Sequence, residues 1–363
     1  MSKPNIFDYA TSELSQDAFL CWLLSWADHK YASKDEHLHE VGAEFVRDVM
    51  KKFGKSVYGN IDIKGIWQQW SGIDVMTEIY QGDKKYVLVI EDKTETSMHG
   101  NQLQRYKEAA EKEYPDWTVL PLYLKTGAIS RGQEAEDEGY KVYSGRNLLD
   151  VLEIKATQID NDIFNDFYKF LKCKVDRIEA FRTKNVDEWV KGKDAGEAWQ
   201  GFFSALKEEM KSHDECVGWQ YDANASGGEL IAHWGWNWDI KYHGKYSVYL
   251  QIIKKATDDR FFLAFKVTDV PKEERYDVRW DLCHRVREES KSKGWDFVDK
   301  PKKFGNGNSM VFCQTCNCDV CGCVKSCNDC WLAKNASGIL DMEKTIENLK
   351  DAKRILYDAV TSS

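Results

Sequence analysis

The chain has 363 residues, 42% hydrophobic and 13% aromatic, with fourteen Trp and only five Pro; this excludes a disordered chain and leaves room for two packed domains. Its formal charge of −9 excludes a protein that coats nucleic acid through an overall basic surface, although a local basic patch and a metal ion can serve a small footprint. No apolar run approaches the roughly 20 residues of a membrane span, and residues 1–5 lack the apolar core of a secretory signal. The expectation is a cytoplasmic protein with no membrane partner and with its eleven Cys mostly reduced.

In chain order, the first predicted element is an amphipathic helix in residues 5–26 that turns Phe19, Leu20, Leu23 and Leu24 inward. Glu13 and Asp17, four apart, share a polar face near its start, where acidic residues suit the helix dipole. Next comes Ile73 to Lys93 (IDVMTEIYQGDKKYVLVIEDK), which reads as a β-hairpin turning at Gly82-Asp83. That turn sets Asp74 opposite Glu91, with Cβ atoms roughly 4.5–5.5 Å apart, where like charges repel. A divalent cation resolves the conflict, since Mg²⁺ favours one or two carboxylates plus waters. Lys93 follows Glu91 by two residues and shares its face. Two carboxylates and an ammonium at the end of an apolar strand suit phosphodiester cleavage; a charged strand end meeting solvent is the plain alternative.

The apolar run Tyr86–Ile90 predicts a central strand covered on both faces. A loop at Ser97–Gly100 leads into a helix from Asn101, with Leu103, Tyr106 and Ala110 on one stripe. Gln102 and Tyr106 share a face; Tyr106 reads first as core, while Gln102 suits a helix cap and a site-facing amide equally. Asp116–Leu124 reads as a strand, and Pro121 argues for a place near an edge or for a bulge. Lys84, Lys85, Lys93, Arg105 and Lys107 are neighbours in sequence, as an ordinary solvated face or one basic surface.

The segments ELSQDAFLCWLLSW, IDV, VLVIEDK and QLQRY, in this order, resemble the PD-(D/E)XK nuclease superfamily over about residues 5–125, with Ile73 rather than Pro before Asp74. The resemblance implies a restriction-endonuclease-like α/β core (αβββαβ, mixed sheet) and metal-dependent hydrolysis. It assigns catalytic roles to Asp74, Glu91 and Lys93, adds Glu13 from the first helix, and matches Gln102 and Tyr106 to a helix lining the site. Mg²⁺ or Mn²⁺ would sit on Asp74 and Glu91, with the backbone carbonyl of Asp92 as a further ligand. DNA is the implied partner, RNA the alternative, and restriction or anti-phage defence the implied setting. A dimer suits the cutting of two strands.

Helical patterns fill Asn147 to Met210, and Gly192–Gly196 reads as a hinge, dividing the chain into residues 1–192 and 193–363. Strand signals at Gly218–Asp222, Leu230–Ile240, Tyr246–Ile253 and Phe261–Val267, with helices at Tyr276–Lys293 and Ile339–Val360, predict a C-terminal α+β domain with an antiparallel sheet. Trp234, Trp236 and Trp238 alternate onto one strand face, as a half-buried face or a base-stacking platform. Residues 313–330 carry seven Cys: 313, 316, 318, 321, 323, 327 and 330. Cys313, Cys316, Cys327 and Cys330 have the paired spacing of a four-thiolate Zn²⁺ site, which predicts a Cys-rich metal knob; a two-zinc cluster and an iron–sulfur centre fit the surplus thiols. The first functional expectation is a metal-dependent endonuclease; the second is an inactive or partner-gated derivative that binds nucleic acid or protein.

Overall fold

The computed structural model describes residues 3–94, 101–129, 132–190, 195–211, 217–224, 227–234, 240–255, 260–301, 304–305, 307–315, 318–319 and 331–361. The chain divides into two compact units, Met1–Arg177 and Ile178–Ser363. Among the described residues, no helix is long and apolar enough to cross a membrane.

The first unit runs α1 (Glu13–Trp26), α2 (Glu36–Lys52), β1 (Asp62–Trp70), β2 (Ile73–Gln81), β3 (Lys84–Lys93), α3 (Gln102–Glu113), β4 (Thr118–Lys125), α4 (Gly132–Asp137), β5 (Lys141–Ser144), α5 (Gly145–Glu153) and α6 (Asp162–Ile178). It contains the expected αβββαβ order, with α2 set before the first strand. The five strands lie in the order β1-β2-β3-β4-β5; β1, β2 and β3 are antiparallel neighbours, and β3, β4 and β5 run parallel.

The β2–β3 hairpin pairs Gln81 with Lys84 and Val75 with Ile90, the expected register. Gly82 takes φ +58° in its turn, a conformation that costs glycine little. From Tyr86 to Lys93 every residue of β3 is buried. On one face Leu88 and Ile90 join Leu20, Leu23 and Leu24 of α1 and Val41, Phe45 and Val49 of α2 in the main core. On the other, Val87 and Val89 pack with Ala110 of α3. At roughly 25 cal/mol per Å² of apolar surface, this two-sided burial anchors β3 in the sheet.

β4, which carries Pro121, lies next to the edge strand β5, in keeping with the expectation of a place near an edge. β5 is short and pairs only with Leu122–Lys125, so at Pro121 the β5 side has no partner strand to receive the missing N–H. Lys84 and Lys85 open β3 and Lys93 closes it, roughly 30 Å away at strand rise. The lysines adjacent in sequence therefore do not form one surface.

The second unit opens with the short helices α7 (Ala180–Thr183) and α8 (Val186–Trp189), then α9 (Ala195–Lys211). Its strands are β6 (Val217–Asn224), β7 (Gly227–Trp234), β8 (Lys241–Tyr242), β9 (Tyr246–Lys255), β10 (Arg260–Val267), β11 (Val298–Asp299), β12 (Met310–Thr315) and β13 (Cys318–Asp319). They form one antiparallel sheet in the order β11-β12-β10-β9-β7-β6, with β8 on β9 and β13 on β10. α10 (Arg275–Ser292) packs on β12, and α11 (Met342–Thr361) packs on α10. This is the predicted antiparallel α+β domain, distinct from the mixed sheet. The aromatic row falls outside the described side chains, as do Cys316, Cys318, Cys321, Cys323, Cys327 and Cys330.

Candidate active site

The site lies at the C-terminal end of β3, where the sheet register brings four side chains into one row. The pairs Gln68–Val75 and Trp70–Ile73 set Gln69 of β1 opposite Asp74 of β2. The register ending at Val75–Ile90 sets Asp74 opposite Glu91 of β3, and Glu91 pairs with Tyr123 of β4. Lys93 lies two residues beyond Glu91 on the same face.

Lys93 is the hub. Its Nζ is 2.6 Å from Glu91 Oε1, 3.4 Å from Asp74 Oδ2 and 3.8 Å from Glu13 Oε2, and it donates to the Asp92 carbonyl at 2.9 Å. Burial opposes its charge, but the hydrogen bond and charge of Glu91, then the charges of Asp74 and Glu13, outweigh it and hold the ammonium above its ordinary range. Lys93 is therefore a fixed positive charge. Glu91 is fully buried, and burial followed by the Asp74 charge pushes its pKa up to about 7 despite Lys93. Among the described residues, no hydrogen-bond donor reaches its buried Oε2.

Asp74 is held through both oxygens. The backbone N–H of Asp92 donates to Oδ2 at 2.9 Å, and Gln69 Nε2 donates to Oδ1 at 3.0 Å. Glu13, the first residue of α1, accepts the N–H of Thr94 at 3.2 Å and so fastens the helix to the strand end. The Gln102 amide donates to Tyr106 Oη at 3.0 Å, and Tyr106 packs against the β1–β2 turn at Gly72.

Behind this row lies a polar layer that sequence reasoning missed. Asp92 points to the opposite face from its neighbours, towards α1. Gln16 Nε2 donates to its Oδ1 at 2.5 Å, and Thr126 Oγ1 donates to Gln16 Oε1 at 2.9 Å. Asp17 is buried against Asp92, and the two carboxyls are close enough to share a hydrogen bond. Burial, then the Asp74 charge, lifts Asp17 to about 6; burial, then the Asp17 charge, lifts Asp92 well above the carboxylate range. One shared proton relieves the conflict between Asp17 Oδ1 and Asp92 Oδ2, which have no other donor among the described residues. The i, i+4 spacing of Glu13 and Asp17 was visible in sequence; that Asp17 faces inward was not.

Among the described residues, no three or more His, Cys, Asp or Glu side chains are grouped as a metal cage. What the row offers is two opposed carboxylates, one with an unpartnered buried oxygen, and Mg²⁺ takes its remaining ligands from water and substrate phosphate. This donor set fits a divalent cation. In the second unit, Cys313 is buried on β12 with its Sγ 3.5 Å from Cys283 Sγ of α10.

Comparison with known proteins gives one finding. The family profile of the PD-(D/E)XK nuclease superfamily matches residues 4–187, just over half of the chain. No curated protein and no solved structure matches the chain significantly.

Proposed function

The chain belongs to the PD-(D/E)XK nuclease superfamily, and on that footing we propose that it hydrolyses phosphodiester bonds of DNA at Asp74, Glu91 and Lys93. The observation that carries the reading is the placement of Asp74 opposite Glu91 with the Lys93 ammonium in reach of both. Asp74 and Glu91, with the Asp92 carbonyl, would hold Mg²⁺ or Mn²⁺, which when bound polarises a phosphoryl oxygen and acidifies a water. Lys93 supplies a preorganised positive charge where negative charge develops in the transition state. Its Glu91 bond sets the position of that charge, and Glu13 steadies the strand end through Thr94. Gln102 acts through Tyr106, by fixing the wall of the site. Restriction or anti-phage defence is the setting we favour, by analogy of fold alone.

Cleavage of supercoiled plasmid and of single-stranded DNA, with Mg²⁺, Mn²⁺ or EDTA, tests the reading. Glu91→Ala and Lys93→Ala are expected to lose at least ~100-fold in rate while remaining folded. Undiminished cleavage in either variant would sink the assignment. Mn²⁺ binding without cleavage of any DNA would favour an RNA substrate or the partner-gated regulator.

We also propose Zn²⁺ on Cys313, Cys316, Cys327 and Cys330, a reading supported by cysteine spacing.

A further inference from the structure

We propose that Gln69 is a positioning residue of this site, holding the Asp74 carboxylate in its working orientation from the β1–β2 turn. The inference rests on the nuclease reading above and adds to it a residue outside the superfamily motif.

Three observations carry it. First, Gln69 Nε2 donates to Asp74 Oδ1 at 3.0 Å and lies 3.5 Å from Asp17 Oδ2, so one amide bridges the carboxylate of the front row and that of the buried layer. Second, these contacts complete the restraint on Asp74. The Asp92 N–H and Lys93 hold Oδ2 from the β3 side, and Gln69 holds Oδ1 from the β1 side. A carboxylate accepts about four hydrogen bonds, two at each oxygen, so Oδ1, which accepts from Gln69, keeps a lone pair for a cation.

Third, the backbone is bent to deliver this side chain. Gln69 has φ +57°, a left-handed conformation uncommon for a residue with a Cβ, and it sits within β1 just before the Ser71-Gly72 turn, whose residues have φ +52° and +88°. Strain of this kind persists where surrounding structure enforces it, and it concentrates at functional sites. An ordinary hairpin of this length needs positive φ only at its two turn residues. Strain at Gln69 is additional, and the contacts of its amide are the compensation the structure shows.

The test separates positioning from folding. Gln69→Gly keeps the backbone conformation and removes the amide, so it is expected to match or exceed the wild-type melting temperature. Mn²⁺ affinity, measured by calorimetry, is expected to fall by roughly 10-fold, the usual effect of removing a residue that orients a metal ligand. Gln69→Glu keeps the length but presents an acceptor to two carboxylates, so it should lose more affinity than Gln69→Gly. Asp74→Ala is the reference and should abolish the binding. Loss in Asp74→Ala with wild-type affinity in Gln69→Gly, or with Gln69→Glu equal to wild type, would overturn the positioning role alone. Undiminished binding in Asp74→Ala would overturn the metal-site reading and this proposal with it.

Discussion

At the scale of single residues, the site is a contest between burial and charge. Glu91, Asp92 and Asp17 are carboxyls set where ionisation is costly, and the Lys93 ammonium offsets them from the front. Behind it, the Asp17–Asp92 contact works only with a proton between the carboxyls. Both pKa values lie above the ordinary aspartate value of 3.8, so the folded state keeps protons that the unfolded chain releases. The linked stability is complete below that value, and the part owed to Asp17 is lost as pH rises through about 6. Asp92→Asn imitates the protonated form: its amide oxygen accepts from Gln16 and its NH₂ donates to Asp17. In metal-free protein this variant is expected to keep or gain stability at pH 8 and to flatten the loss between pH 4 and pH 7. Asp92→Ala leaves Gln16 and Asp17 without their partner and should cost about 2 kcal/mol. Urea denaturation at several pH values checks both, and equal losses in the two variants would refute the shared proton.

At the scale of elements, the hairpin Ile73–Lys93 was legible because its turn is short and chemically marked. Gly82-Asp83 fixed the register, and the register fixed Asp74 against Glu91. The same logic was available one hairpin earlier. Ser71-Gly72 is a turn signal, and reading it would have set Gln69 against Asp74. That signal is weak because β1 mixes Lys64, Gly65, Gln68 and Gln69 into its apolar pattern, and its pairing shifts between Ile63 and Gly65. The inward turn of Asp17 and Asp92 was not legible, since a charged side chain gives no periodic sign of being buried. This turn yields its own prediction. Gly72 has φ +88°, and a Cβ there would stand 3.0 Å from the Tyr106 ring and hydroxyl. Gly72→Ala is expected to lose about 1–3 kcal/mol from the positive φ and the overpacking. It should also weaken Mn²⁺ binding, because the displaced turn carries Gln69. Adding Tyr106→Ala should restore part of the stability, and a double variant no better than the single one would show that the clash is not the cause.

At the scale of the whole molecule, the proposed active site and the cysteine-rich segment fall in different units. Every residue of the row proposed for catalysis and of the layer behind it belongs to Met1–Arg177, while the cysteine-rich segment belongs to Ile178–Ser363. The antiparallel sheet of the second unit was legible from its alternating strands, but seven cysteines in one segment fix no pairing or ligand set by themselves. Reduced thiols at that density oxidise readily unless something holds them, and structural zinc supplies folding free energy of its own. The full chain, purified without chelator, is therefore expected to carry about one zinc per molecule by elemental analysis. Replacing Cys327 and Cys330 by Ser should remove that zinc and lower the melting temperature. Mn²⁺ binding at Asp74 and Glu91 should be unchanged, because none of its residues lies in the second unit. Metal-free protein whose cysteines all react with a thiol reagent in the native state would refute the zinc site, and loss of Mn²⁺ binding in the Ser variants would refute the separation of the two chemistries.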